Sequence, residues 1–352
     1  MTRRWRTFLL CLIVLASTGT AQLDKDVRYL KARAQRLMEE RNLGFAIKHL
    51  DRAIGLFPKD GELRLLLGEC HYQREEWKAA GEAFASGVKL RPDLLSRVPH
   101  YPLSVLRAGD VAEARRIYES MVATGTDKGI ENGEYGLGML LIHDGKLEAA
   151  LGHLKRALTY DPKSEKINFR LGYVLQRQGR LKEARRHFEV VAARNRLHEP
   201  ALHALALVCF RLGDKKAAGK WKAAHEKARA AMVRIGDCQR ALAKNAGDLA
   251  ALRTLADLYF EFHRWSKAQG PYRALTASQP KNPEPRFRYA YCAFQLGRIL
   301  EARQQLEQMR RRYPGYEPAA ELLRQMNAKR DAKSKELEKK SSGPTPRSGA
   351  GS

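Results

Sequence analysis

The chain holds ten histidines, five cysteines and 39 carboxylates, the raw material of acid–base or metal chemistry, but it lacks the spacing. No His-Glu-x-x-His pair, phosphate-cradling glycine loop or Gly-x-Ser-x-Gly elbow occurs, so no local motif joins a base, nucleophile or metal. His153 and His187 stand 34 residues apart and His49 lies far upstream. They are expected to be exposed histidines on helix surfaces rather than ligands. Cys70, Cys209, Cys238 and Cys292 match no zinc or redox spacing, and read as small buried apolar residues. Only the pair Cys209 and Cys238 stays open as a bridge. The expectation is a protein without catalysis, cofactor or metal.

What the sequence does offer is binding chemistry. Rings alternate with cations at Phe169-Arg170, Tyr173 and Arg177, at Phe210-Arg211, and at Phe287-Arg288 with Tyr291. Such rings cover apolar or sugar-like faces, and Arg grips carboxylates with two parallel bonds. Lys and Arg number 65 against 39 Asp and Glu, a formal charge of +26. That balance attracts acidic proteins, glycans, lipid surfaces or nucleic acid. A generally basic set of envelope proteins would show the same balance.

The elements that hold these residues follow from a repeated turn. Gly145-Lys146-Leu147-Glu148-Ala149-Ala150 is echoed from Gly179 to Ala184 and from Gly213 to Ala218, with the final alanines 34 residues apart. A fixed period of this size marks stacked helical units. With that alanine as position 20, the register holds Ala46, Ala80, Ala114, Ala150, Ala184, Ala218, Ala268 and Ala302. Position 8 is small at Ala34, Gly68, Gly138, Gly172, Ala206, Ala256 and Ala290, position 24 is mostly large, and position 32 is often proline. Small residues let two helices approach closely, and the proline stops the second helix. Glycine at position 15 (Gly109, Gly145, Gly179, Gly213 and Gly297) ends the first helix in a left-handed conformation.

These residues resemble the tetratricopeptide repeat family, over eight units from about Val27 to Tyr316. The resemblance implies an all-α, right-handed superhelical solenoid of about eight helix-turn-helix repeats. It also implies a concave groove lined by first-helix positions 2, 5, 6, 9, 12 and 13. Those positions nominate Tyr135, Met139, Lys166, Phe169, Arg170, Tyr173, Arg177, His203, Phe210, Arg211, Phe287, Arg288 and Tyr291. Two readings stand for their rings, groove and core, because positions 5, 9 and 12 also serve packing. A family variant clamps a peptide carboxylate with Lys and Asn on successive repeats. Lys166 and Arg170 fit one of its basic pairs, but Gly136, Pro99 and Leu103 occupy its other positions, so the full clamp is not expected.

The departures set boundaries. A basic start, an apolar run from Phe8 to Ala16 and small residues to Ala21 have the order of a cleaved signal peptide over 1–21. The run is shorter than the roughly 20 residues that span a bilayer. Six repeats are expected over 27–232, the third weakened by Pro99 and Pro102. An insertion or joint is expected over 233–248, with a break at Gly236-Asp237. Two further repeats then fill 249–316, a capping helix 317–340 and a disordered tail 341–352. The reading is an exported scaffold, periplasmic or secreted, with no transmembrane segment after cleavage. It binds an acidic protein or peptide through the groove of repeats four to six. The alternative partner is an acidic envelope polymer such as an exopolysaccharide, and export disfavours nucleic acid.

Overall fold

The computed structural model describes residues 26–328. The expected signal segment and tail lie outside the described residues, as does the expected capping helix beyond 328. The chain forms two compact units that divide between His187 and Phe188.

The N-terminal unit carries α1 (26–39), α2 (Leu43–Leu56), α3 (Gly61–Gln73), α4 (Trp77–Leu90), a 3-10 helix Pro92–Arg97, α5 (His100–Arg107), α6 (Val111–Ala123), α7 (Asp127–His143), α8 (Leu147–Tyr160) and α9 (Glu165–Arg177). The division falls inside α10 (Leu181–Arg194). The C-terminal unit carries α11 (Glu199–Arg211), α12 (Lys215–Lys244), α13 (Leu249–Glu261), α14 (Trp265–Ser278), α15 (Pro283–Gln295), α16 (Ile299–Arg312) and α17 (317–328). The described residues contain no strand. The protein is an all-α solenoid of paired helices.

Each pair is closed by contacts the register explains. Ala46, Ala80, Ala114, Ala150, Ala184, Ala268 and Ala302 are all fully buried at position 20. A Cβ on Gly68 would stand 2.7 Å from the Phe84 ring, and one on Gly138 would stand 3.0 Å from Leu154. Position 24 therefore fills the space above position 8 of its own repeat. Gly172, Ala256 and Ala290 are buried likewise, whereas Ala206 and Ala218 of repeat six are only half-buried. Helix starts are capped by side chains. Asp60, Asp110, Asp214 and Asp248 each accept from the backbone N–H three residues on, satisfying a donor that has no intrahelical partner.

The turn between paired helices is the same in all eight repeats. Gly109, Gly145, Gly179, Gly213 and Gly297 take φ from 74 to 99°, and Arg41, Glu75 and His263 take φ of 57, 62 and 59° at the equivalent position. Three non-glycine residues thus adopt a conformation that disfavours a Cβ.

The third repeat, which carries Pro99 and Pro102, begins with the 3-10 helix, and its α5 is only eight residues long. Pro102 sits in the first turn, where a missing N–H breaks no helical bond. Two expectations are corrected. The expected break at Gly236-Asp237 is absent, because α12 runs unbroken for 30 residues. Its Ala-, Lys- and Arg-rich sequence has high helix propensity, which outweighs about 1 kcal/mol for each interior glycine. The histidines at position 23 are half-buried rather than exposed. His49 Nε2 lies 3.1 Å from the Leu30 carbonyl, His153 Nδ1 2.6 Å from Glu134 and His187 Nδ1 2.9 Å from Asn168. Each tie spans 19 residues and joins the second helix of a repeat to position 4 of its first.

Candidate functional site

In the N-terminal unit, α7 and α9 are consecutive first helices. They carry seven of the nominated residues, Tyr135 and Met139 on α7 and Lys166, Phe169, Arg170, Tyr173 and Arg177 on α9. None belongs to the buried core: Lys166 and Arg177 are exposed and the other five half-buried. The two helices are tied by Lys166. Its ammonium lies 3.2 Å from Glu131 Oε1, 3.2 Å from Asn132 Oδ1 and 5.0 Å from the centre of the Tyr135 ring. Glu131 is 5% exposed and also meets Lys128 at 2.6 Å. Burial pulls its carboxyl up, but the two ammonium groups outweigh burial and hold it below the usual range. The Lys166 charge is thus largely answered within the fold.

Arg170 and Arg177 differ. Among the described residues neither forms an ion pair. The Arg170 guanidinium lies 5.7 Å from the Phe169 ring, and that of Arg177 lies 5.9 Å from the Tyr173 ring while donating to its hydroxyl at 3.0 Å. Two rings thus support two guanidinium groups that retain their capacity for an anion.

The nominated residues of the C-terminal unit stand in two places. On α15, Arg288 donates to Glu284 at 2.9 Å, approaches Asp257 at 3.9 Å and lies 4.7 Å over the Phe260 ring. Its charge is already met by two carboxylates. Phe287 and Tyr291 pack against the core of α15, α16 and α17, and Tyr291 also meets Phe260 and Trp265 at 5.4 and 5.8 Å. These rings serve packing. On α11, His203, Phe210 and Arg211 are exposed. The His203 ring lies 5.2 Å from that of His225 on α12.

The sequence reading passed over a cavity of about 480 Å³ between α1, α3 and the 3-10 helix. Lys31 and Glu69 sit in its wall. Lys31 bonds Asp60 at 2.8 Å and Glu62 at 2.7 Å, and His100 bonds Glu69 at 2.7 Å while stacking on Tyr72 at 4.1 Å. Lys31, Glu62, Glu69 and Tyr72 occupy first-helix positions 5, 2, 9 and 12 of repeats one and two, and His100 position 6 of repeat three; their mixed charge sets them apart from the alternation of rings with cations.

Among the described residues no three His, Cys, Asp or Glu side chains gather as metal ligands, and no helix is long and apolar enough to cross a membrane. All four cysteines of these residues are buried, and burial pushes the Cys70 and Cys292 thiols up to about 12. Cys209 lies on α11 and Cys238 near the end of α12.

Family models described as tetratricopeptide repeat match residues 31–94, 141–208 and 253–317. The chain belongs to the tetratricopeptide repeat family. Among solved structures it is similar to PilW, a widely conserved type IV pilus biogenesis factor (20% identity, 56% of this chain and 90% of that one, TM-score 0.49). It is also similar to MamA from Desulfovibrio magneticus RS-1 (22% identity, 47% and 93%, TM-score 0.41) and to human IFIT1 with PPP-AAAA (14% identity, 80% and 69%, TM-score 0.40). A search of curated proteins gave no significant match.

Proposed function

We propose that this repeat protein is an exported, non-enzymatic scaffold that holds an acidic protein or peptide on the α7–α9 face. The observation that carries the reading is the pair Arg170 and Arg177, each set against a half-buried ring and neither engaged by a carboxylate of the described residues. An extended acidic segment lying across Phe169 and Tyr173 meets apolar faces and two bidentate donors at once. The proposal of export rests on the order of residues in the first 21 positions. Periplasm and cell exterior both suit it.

The net charge of +26 favours a second reading, an acidic envelope polymer held by the surface at large. Salt separates the two. Affinity for a polymer falls steeply as salt rises, because many exposed charges contribute. A peptide anchored on rings loses little.

The test begins with crosslinking of the exported protein in its native cells to identify what it holds. Binding of that partner is then compared for wild type, Phe169→Ala with Tyr173→Ala, and Arg170→Glu with Arg177→Glu. Both double variants are expected to lose binding while keeping wild-type helicity. Survival of binding in the charge-reversed variant defeats the acidic-partner proposal, and collapse of the ring variant shows those rings to be core.

A further inference from the structure

Repeat six departs from its neighbours at the point where a solenoid closes. Elsewhere in the C-terminal unit, positions 8, 20 and 24 are buried, as at Ala256, Ala268 and Tyr272, or Ala290, Ala302 and Leu306. In repeat six the residues are Ala206, Ala218 and Lys222, half-buried or exposed. The cause is the length of α12. Its extra turns carry the next first helix away, so α13 engages the later part of α12. Tyr259 meets Gln239 at 3.3 Å, Lys227 meets Glu261 at 2.6 Å and lies over the Phe262 ring, and Ile235 and Cys238 are buried there. The earlier part of α12 and the facing side of α11 remain uncovered.

The uncovered place is a groove of about 650 Å³. Its floor is apolar and includes Ala206, Ala218, Gly219 and two large exposed residues, Leu207 (42%) and Phe210 (66%). Its rim carries Lys215, Lys222 and Arg229, none of which has an ion pair among the described residues, against the single carboxylate Glu226. From Lys215 to Arg229 the groove follows α12 for about 20 Å at 1.5 Å per residue. That length suits a helix of 13 residues, the length of α11, α13 and α15.

We propose that this groove seats an acidic amphipathic helix from another protein, occupying the place that a following first helix fills in an ordinary repeat. The helix lays its apolar stripe on Leu207, Phe210 and Ala218 and its carboxylates against Lys215, Lys222 and Arg229. Charge selects this occupant over a second copy of a chain that is itself strongly basic. The site lies on α11 and α12 and does not depend on the α7–α9 face, so the variants that test one leave the other intact.

The experiment uses the full chain and an 18-residue fluorescent peptide with Leu at i, i+3, i+4 and i+7 spacing and Glu elsewhere. A matched peptide has Lys in place of Glu. The obstructing variant is Gly219→Met: a Cβ there meets nothing within 4 Å, so the fold tolerates it while the side chain occupies the groove. The Glu peptide is expected to bind and gain helicity, to lose at least tenfold in affinity with Gly219→Met, and to yield to the Lys peptide with Lys222→Glu plus Arg229→Glu. Phe169→Ala with Tyr173→Ala should leave its affinity unchanged. The proposal is overturned if both peptides bind alike, if neither binds, or if Gly219→Met has no effect while circular dichroism shows a native fold. It is also overturned if sedimentation finds a dimer that Gly219→Met dissociates, because the occupant is then a second copy.

Discussion

One turn, repeated eight times, allows a quantitative test of the fold. At Gly145, Gly179 and Gly213 φ is 74, 76 and 79°, and a Cβ would meet no atom within 4 Å. Replacement by Ala therefore changes only backbone energetics. An L-residue in the left-handed region costs about 1–2 kcal/mol. Restricting the unfolded chain returns about 0.4–1 kcal/mol. Each Gly→Ala variant should lose about 0.5–1 kcal/mol. The reverse holds at Arg41 and Glu75, with φ of 57 and 62° and both side chains exposed. Arg41→Gly and Glu75→Gly should each gain about 0.5–1 kcal/mol by the same difference. His263 is the control, because its ring stacks on Trp265 at 4.7 Å and 20°. His263→Gly forfeits that contact and should come out near neutral. Because solenoid stability is local, the assay is native-state hydrogen exchange on the helices flanking each turn, supported by urea unfolding. A stabilised Gly145→Ala, or a destabilised Glu75→Gly, refutes the account.

Other consequences can be measured in the same way. Burial holds the His187 imidazole below its ordinary pKa, with the Lys155 charge adding to the effect and Glu183 opposing it. The unfolded state then binds the proton more readily, so stability is full above about 6.5, the unfolded value, and is lost as pH falls below it. His187→Gln should flatten that part of the pH profile. Gly68→Ala should cost about 1–3 kcal/mol by overpacking, since its Cβ would lie 2.7 Å from the Phe84 ring; Phe84→Leu in the same chain should recover part of the loss. Glu134 is 6% exposed and is held by His153 at 2.6 Å and Arg156 at 2.9 Å. His153→Ala removes one partner of a buried carboxylate and should cost about 1–3 kcal/mol, read as a lower urea midpoint. No change would show that the tie across repeat four contributes little.

The repeat was legible because its determinants are local and recur. Glycine at position 15 and alanine at position 20 each answer a steric demand of their own helix pair, and five copies of the glycine and eight of the alanine made the demand visible. The same turn at Arg41, Glu75 and His263 was not legible, because the rest of the repeat forces the conformation on residues that do not favour it. Proline in repeat three was read as costly by its type, but its cost depends on its place in the turn, and Pro102 falls where a missing N–H costs little. Histidines at position 23 read as surface residues because the groups they bond stand 19 residues earlier, beyond any local pattern.

The candidate site shows the same division between residue type and surroundings. Arg170 and Arg288 both occupy position 6 beside a phenylalanine, and the sequence treats them alike. The fold separates them. Arg288 faces Asp257 of the preceding first helix and Glu284 of its own, whereas Arg170 has only the Phe169 ring. What an arginine can offer a ligand depends on position 2 of its own repeat, Glu284 for Arg288 but Lys166 for Arg170, and on position 9 of the repeat before it. That position is Asp257 ahead of Arg288 and Met139 ahead of Arg170, so availability could have been read by comparing neighbouring repeats rather than single motifs. Applied to repeat six, the comparison isolates Lys222, a cation where other repeats place a large apolar residue. An ammonium there cannot be covered by an ordinary following helix without desolvating a charge. Lys222 stands in the groove that the length of α12 leaves open, and Lys222→Leu should make the groove more apolar, weakening an acidic helix while admitting a neutral one. Equal binding of both helices to Lys222→Leu and wild type would break the link between that residue and the choice of occupant.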